Sequence, residues 1–180
     1  MDNPATPALF QYWDKFDRPK GVDELMRGWA RDPAFAYEAY NQVSAAAMIG
    51  EEYGAGMLAS FMACRVPAMQ ADFFRLCALQ AYGGIYIDAD VRNMSKHQDL
   101  LRREGRGLLM NRRGRIANDV IAVWNRHDPL MRYALDTAHA NIQARMKGTV
   151  WQVTGPGIFT DAFNRLGPDS DLFRGFRIIT

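Results

Sequence analysis

The chain has 180 residues, enough for one domain with a substantial core, and 48% of them are hydrophobic. A formal net charge of only +2 gives no overall signal for nucleic-acid binding, and 23% charged residues is too ordinary for global disorder. No run nears the ~18 apolar residues of a spanning helix, and the N-terminus carries no signal-peptide pattern. The chain therefore reads as soluble, with peripheral attachment to a membrane left open. Two cysteines, Cys64 and Cys77, lie in apolar surroundings without zinc or disulfide spacing, and read as reduced, buried thiols of a cytosolic protein.

In chain order, residues 1–7 read as a loose leader and Leu9 to Trp13 as a first strand. Gly21 to Arg31 has helical spacing and stops before Pro33. Phe35 to Tyr40 alternates as a strand does. Ser44 to Tyr53 is an alanine-rich helix with Ser44 as its expected N-cap, and Gly54 and Gly56 break it before Met57 to Cys64. Pro67 opens a helix expected to run to Tyr82 and end on Gly83.

A buried strand follows, Ile85-Tyr86-Ile87, delivering Asp88 and Asp90. Residues i and i+2 of a strand share a face, so the two carboxylates are expected to converge while Ala89 points away. Paired carboxylates at a strand end suit a hard divalent cation that shares its oxygen ligands with a substrate phosphate. Asp72 and Arg75 lie three apart on the preceding helix and share its surface. The Gly83-Gly84 turn folds them back toward the aspartates.

Further on, His97 to Glu104 reads as a short helix, Gly107 to Met110 as a strand, Arg112 to Arg115 as a loop and Val120 to Trp124 as a buried strand. Pro129 to about Met146 is the longest amphipathic helix; Thr154-Gly155-Pro156-Gly157 turns into a helix from about Ile158 to Leu166, and Phe176 to Ile179 is a last strand. Strands alternating with helices predict an α/β layered sheet. Because Thr180 falls at the end of that strand, a C-terminally truncated domain is one expectation.

The run from Ala71 to Asp90, ADFFRLCALQAYGGIYIDAD, resembles the DXD-motif sugar transferases. That family includes initiating mannosyltransferases, capsular polysaccharide transferases and, more distantly, the glucosylating domains of clostridial toxins. The shared features are Asp-x-x-Arg, Gly-Gly-x-Tyr and Asp-x-Asp at matching spacing. LFQYW near the start, Asn118-Asp119 and Thr154-Gly155-Pro156 resemble weaker motifs of the same family. The resemblance implies a GT-A-like fold, with a mixed central sheet flanked by helices, and a metal-dependent, retaining hexosyltransferase using Mn or Mg.

Carried onto this chain, the resemblance makes Asp88 and Asp90 the metal-site pair, and Asp72, Arg75, Asp88 and Asp90 the catalytic set. Trp13 would stack on the nucleobase. Gln11, Gly83, Gly84, Tyr86, Asn118, Thr154 and Gly155 complete the expected donor site. The partners implied are a nucleotide-sugar donor and a glycan, lipid-linked or protein acceptor. This chain lacks the family's Ile-Pro-Lys-x-Ile-His lead-in and its C-terminal His-x-Trp-like segment.

Two other functions use the same residues: a catalytically inactive sugar-nucleotide or polyanion binding module, and a metal-dependent phosphoryl or nucleotidyl transferase. Arg102, Arg103, Arg106, Arg112, Arg113 and Arg115 form either a solvated loop or a patch for an anionic acceptor. His97, His127 and His139 have no metal spacing and read as surface residues. Arg75, on an exposed helix face, is expected to be removable with little loss of stability.

Overall fold

The computed structural model describes residues 6–95 and 97–180; most of the expected leader, residues 1–5, lies outside them. Pro7 is already part of the fold, since its carbonyl accepts a hydrogen bond from Ala36 N. In order, the elements are β1 (Ala8–Tyr12), α1 (Lys20–Ala30), β2 (Ala36–Tyr40), α2 (Gln42–Tyr53), α3 (Ala55–Ala63), α4 (Pro67–Tyr82) and β3 (Gly84–Ile87). There follow α5 (Gln98–Leu101), β4 (Gly107–Arg112), β5 (Arg115–Val123), α6 (Pro129–Gln143), α7 (Val150–Val153), α8 (Gly157–Leu166) and β6 (Phe176–Ile179).

The strands form one mixed sheet in the order β2-β1-β3-β5-β4-β6. β1 runs parallel to both β2 and β3, whereas β5 is antiparallel to β3 and to β4. The chain leaves β1 for one side of the sheet, to β2, and then crosses back over β1 to β3. The order therefore reverses between β1 and β3, and the crevice beyond their C-terminal ends is where such sheets bind ligands.

Side chains alternate along the strands. Leu9, Ile85, Ile87, Leu108 and Ala122 pack on one face with Trp29 and Phe35. Phe10, Tyr12, Tyr86, Leu109 and Ile121 face the larger layer formed by α2, α3, α4, α6 and α8. α4 is the centre of that layer. It has no β-branched residue, carries Pro67 in its first turn and stops at Gly83 with φ +67°. Phe73, Phe74, Leu76 and Leu79 are fully buried, each contributing ~1.5–3 kcal/mol of transfer free energy.

Several local expectations change. α2 is capped by Asn41, whose side chain accepts from Val43 N and Ser44 N; Ser44 sits three residues inside the helix and closes the capping box. The expected loop at Arg112–Arg115 is a two-residue hairpin joining β4 and β5. Arg113 (φ 55°) and Gly114 (φ 82°) both take the left-handed region, the geometry that matches strand twist. β5 thus begins at Arg115 rather than Val120. Its pairing with β4 slips between Leu109 and Met110, so residues 118–120 bulge out of the ladder.

Candidate functional site

The crevice at the β1/β3 reversal is a cavity of about 860 Å³. Its walls are the segment after β1 (Trp13 to Pro19), the first half of α4, the turn after β3 and Asn118 from the β5 bulge.

Arg75 is the hub. Its guanidinium is 3% exposed and stacks 4.5 Å from the centre of the Tyr86 ring. Nη2 reaches Asp88 Oδ1 at 2.8 Å and Asp72 Oδ1 at 3.2 Å, while Nη1 donates to the Asn118 carbonyl at 2.6 Å. Asp72 is 5% exposed. Its Oδ1 also accepts from Asn118 Nδ2 at 2.9 Å, and its Oδ2 from the Thr154 hydroxyl at 3.2 Å. Gly155 allows that approach, since a Cβ there would lie 3.2 Å from Asp72 Oδ2 and 2.9 Å from Trp151 Cα. The Tyr86 hydroxyl donates to Asp88 Oδ1 at 3.0 Å.

Burial raises the carboxyl pKa values of both Asp72 and Asp88, against the opposing pull of Arg75. One guanidinium does not fully offset the desolvation of the buried Asp72 and the half-buried Asp88. Burial likewise pushes the Tyr86 hydroxyl well above its ordinary value, so it stays a donor.

The aspartate pair is not arranged as an extended strand. β3 ends at Ile87, and Asp88 to Val91 form a turn closed by Val91 N to the Asp88 carbonyl at 3.1 Å. Alternation does not apply there, and Ala89, expected to point away from the two carboxylates, lines the same cavity as they do. The turn still brings both carboxylates to the cavity. Asp88 is held by Arg75 and Tyr86 through one oxygen. Asp90 is exposed and takes part in no hydrogen bond or ion pair among the described residues. The segment after the turn is clamped to α1: Trp29 Nε1 donates to the Val91 carbonyl at 2.8 Å, and Asp32 binds Asn93 at 3.0 Å and His97 at 2.8 Å. His97 is thus a packed residue between Trp29 and Phe35, not a surface one.

Of the expected site residues, Trp13, Asp72, Arg75, Asp88, Asp90 and Asn118 line the cavity. Gln11 does not: it is fully buried beneath, donating to the Asp88 carbonyl at 3.1 Å and accepting from the Tyr37 hydroxyl at 3.1 Å. Tyr86 also lies under the floor, and Thr154 and Gly155 stand behind Asp72. Gly83 and Gly84 lie at the opposite end of β3, packed against Val123 and Ala8. They turn the chain at the end of β3 remote from the cavity, which they do not line.

Sequence reasoning passed over Lys15 and Arg18, which line the cavity just after Trp13. Their signal is their place in the loop directly following the first strand. The buried Trp13 Nε1 and Arg18 Nε donate to nothing among the described residues.

The arginine group does not act as one patch. Arg106 forms a bidentate pair with Asp128 and binds the carbonyls of Asp171, Leu172 and Arg174, while Arg112 pairs with Asp119. Among the described residues no three His, Cys, Asp or Glu side chains form a complete metal cluster. Cys64 and Cys77 are buried and free; burial pushes the Cys64 thiol up to about 12.

Residues 29–105 match the family model described as the glycosyltransferase sugar-binding region containing DXD motif. Among solved structures, the chain is similar to PaToxG glycosyltransferase, with a TM-score of 0.66, 21% identity and coverage of 91% of this chain and 69% of that one. The chain is glycosyltransferase-like in motif and in fold.

It is also similar to the glycosyltransferase domain of the YGT toxin. The ligand-free form gives a TM-score of 0.54 at 10% identity, covering 83% of this chain and 53% of that one. The UDP-bound form gives 0.53 at 11%, covering 81% and 52%. This glycosyltransferase-like chain therefore spans about half of the YGT domain. At these identities the likeness establishes the fold, a GT-A-type mixed sheet flanked by helices. No curated protein sequence matches. No helix among the described residues is long and apolar enough to cross a membrane.

Proposed function

We propose that the chain is one catalytic unit that transfers a hexose from a nucleotide-sugar donor, with retention of anomeric configuration, to an acceptor. The observation that carries this reading is the Asp72–Arg75–Asp88 network lining a cavity that Trp13 and Asp90 also line. Trp13 offers its ring to the nucleobase. The buried Nε1 and the Arg18 Nε supply donors that a ligand's carbonyl or phosphate oxygens would satisfy.

A divalent cation fits the residues present. Five carboxylates but three cationic groups line the cavity, so a diphosphate would be repelled without a counter-ion. Asp88 and Asp90 would hold Mn or Mg, the remaining ligands being donor phosphates and water. When bound, such an ion stabilises the departing diphosphate as a Lewis acid. Arg75 fixes the carboxylates of Asp72 and Asp88, and its neighbours leave it few free donors. Asp72 has hydrogen bonds at both oxygens, which supports a route with no covalent enzyme nucleophile. It remains an acceptor for sugar hydroxyls through its other lone pairs.

The test is hydrolysis of a nucleotide sugar with Mn, beginning with UDP-hexoses because the YGT domain binds UDP. Wild type should turn over and Asp90→Ala should lose most of the activity. Equal turnover would remove the metal assignment. Nucleotide binding by calorimetry with no turnover in either protein would make the chain a donor-binding module. Phosphate release from nucleotides carrying no sugar would indicate phosphoryl transfer.

A further inference from the structure

A second concavity, about 1040 Å³, lies on the other side of the start of α4. Consecutive residues divide the two spaces: Pro67 and Ala68 line the cavity with the aspartates, while Val66 and Met69 line this groove. One wall is α3 and its connection to α4; the other is the end of α6 and the segment leading into α7.

The groove is apolar with a basic edge. Met62, Val66 and Met146 are large and exposed, at 55%, 41% and 43%. Unbranched thioethers adapt to varied apolar surfaces, which is how methionine-rich grooves accept helices. Arg65 belongs to one wall, Arg145 and Lys147 to the other, and no aspartate or glutamate lines the groove. None of these three cations forms an ion pair among the described residues.

A single anionic headgroup would need the cations gathered at one end. Cations on both walls, with an exposed methionine on each, instead match a segment that carries an apolar stripe flanked by acids on each side. A concave surface is also the wrong shape for lying on a flat bilayer, which calls for a projecting apolar face.

We propose that this groove docks an acidic amphipathic helix of a protein partner. Its position across one helical turn from the donor cavity makes that partner the acceptor. That second step rests on the transfer function proposed above; the docking does not.

The probe is a synthetic helix of about 20 residues, leucine at i, i+3, i+4 and i+7 and glutamate elsewhere, compared with a scrambled peptide of the same composition. Fluorescence anisotropy should show binding of the patterned peptide, weakening as salt rises. The scramble and the Arg65→Glu/Arg145→Glu/Lys147→Glu variant should each bind about tenfold more weakly. A milder variant, Met62→Ser/Met146→Ser, should also weaken binding while keeping every charge. Nucleotide binding with Mn, measured on the same proteins, should be unchanged, so loss of the donor reading would show separately. The proposal is overturned if patterned and scrambled peptides bind alike, if neither binds, if the variants bind like wild type, or if only phosphatidylserine vesicles bind.

Discussion

Arg75 Nη2 stands between Asp72 Oδ1 and Asp88 Oδ1, joining a helix in the centre of the fold to the turn that carries the aspartate pair. The same guanidinium reaches the β5 bulge through the Asn118 carbonyl. Three elements distant in sequence are thus held by one side chain, and the position of Asp88 depends on the integrity of the core.

Removing Arg75 therefore costs far more than an exposed helix position would. Arg75→Ala leaves the buried Asp72 and the half-buried Asp88 without a counter-charge, a change worth up to about 3–5 kcal/mol. Urea denaturation should show that loss, and Arg75→Lys should recover only part of it, because an ammonium cannot reproduce the fork that spans two carboxylates and a carbonyl. A loss below ~0.5 kcal/mol would mean that the triad does not form.

The raised pKa of Asp72 has a stability signature. Burial, the largest cause, favours its protonated form in the fold. The folded state therefore holds a proton that the unfolded chain has released above about pH 4. Unfolding free energy contributed by this group falls as pH rises from there through the raised value, and is level beyond it. Asp72→Asn keeps the shape and, through its Oδ1, the hydrogen bond from Asn118, with the Thr154 hydroxyl turned to accept from its Nδ2, and it cannot titrate. The stability of wild type relative to Asp72→Asn should fall as pH rises above about 4, read by denaturation at each pH. A rise would mean that the ion pair outweighs burial.

The difference between sequence and structure is clearest at this triad. The spacing of Asp72 and Arg75 and the glycine turn put them beside Asp88 on paper, and the folded chain brings them together. Their burial was not legible, because Asp-x-x-Arg on a helix looks the same whether solvent or another layer covers it. α4 carries apolar residues on every side, which marks it as a central helix, and a charged pair within such a helix is the available signal. The turn at Asp88–Val91 has no turn signature in Asp-Ala-Asp-Val; it is made by the hydrogen bond from Val91 N back to the Asp88 carbonyl and by the clamp from Trp29 on the Val91 carbonyl. Asn118 needed the β5 bulge, a register slip that no local pattern announces.

Gly84 separates architecture from binding. Its φ is +95°, and a Cβ there would lie 2.8 Å from the Ala8 carbonyl oxygen and 3.1 Å from the Phe10 ring. Gly84→Ala combines backbone strain with a clash against the neighbouring strand, and should destabilise by ~1–3 kcal/mol. Because the residue lies at the end of β3 remote from the cavity, the folded fraction should bind nucleotide with unchanged affinity. A calorimetric Kd altered more than about threefold, at a temperature where the variant is folded, would bring Gly84 back into the donor site.

Asp90 should behave in the opposite way. It is exposed and makes no contact that the fold depends on, so Asp90→Ala should leave the melting temperature of the free protein almost unchanged, within the ~0.5 kcal/mol usual for surface positions. Chelation with EDTA should also leave the free protein's melting temperature where it was, since Asp72 and Asp88 are held by Arg75 and Tyr86. The effect belongs to the ligand. With an excess of negative groups lining the cavity, a nucleoside diphosphate should raise the melting temperature of wild type strongly with Mn and only weakly with EDTA. In Asp90→Ala the two curves should nearly coincide. Equal stabilisation of wild type with and without Mn would place the phosphates away from the aspartate pair, with Lys15 and Arg18 as the cations left to receive them.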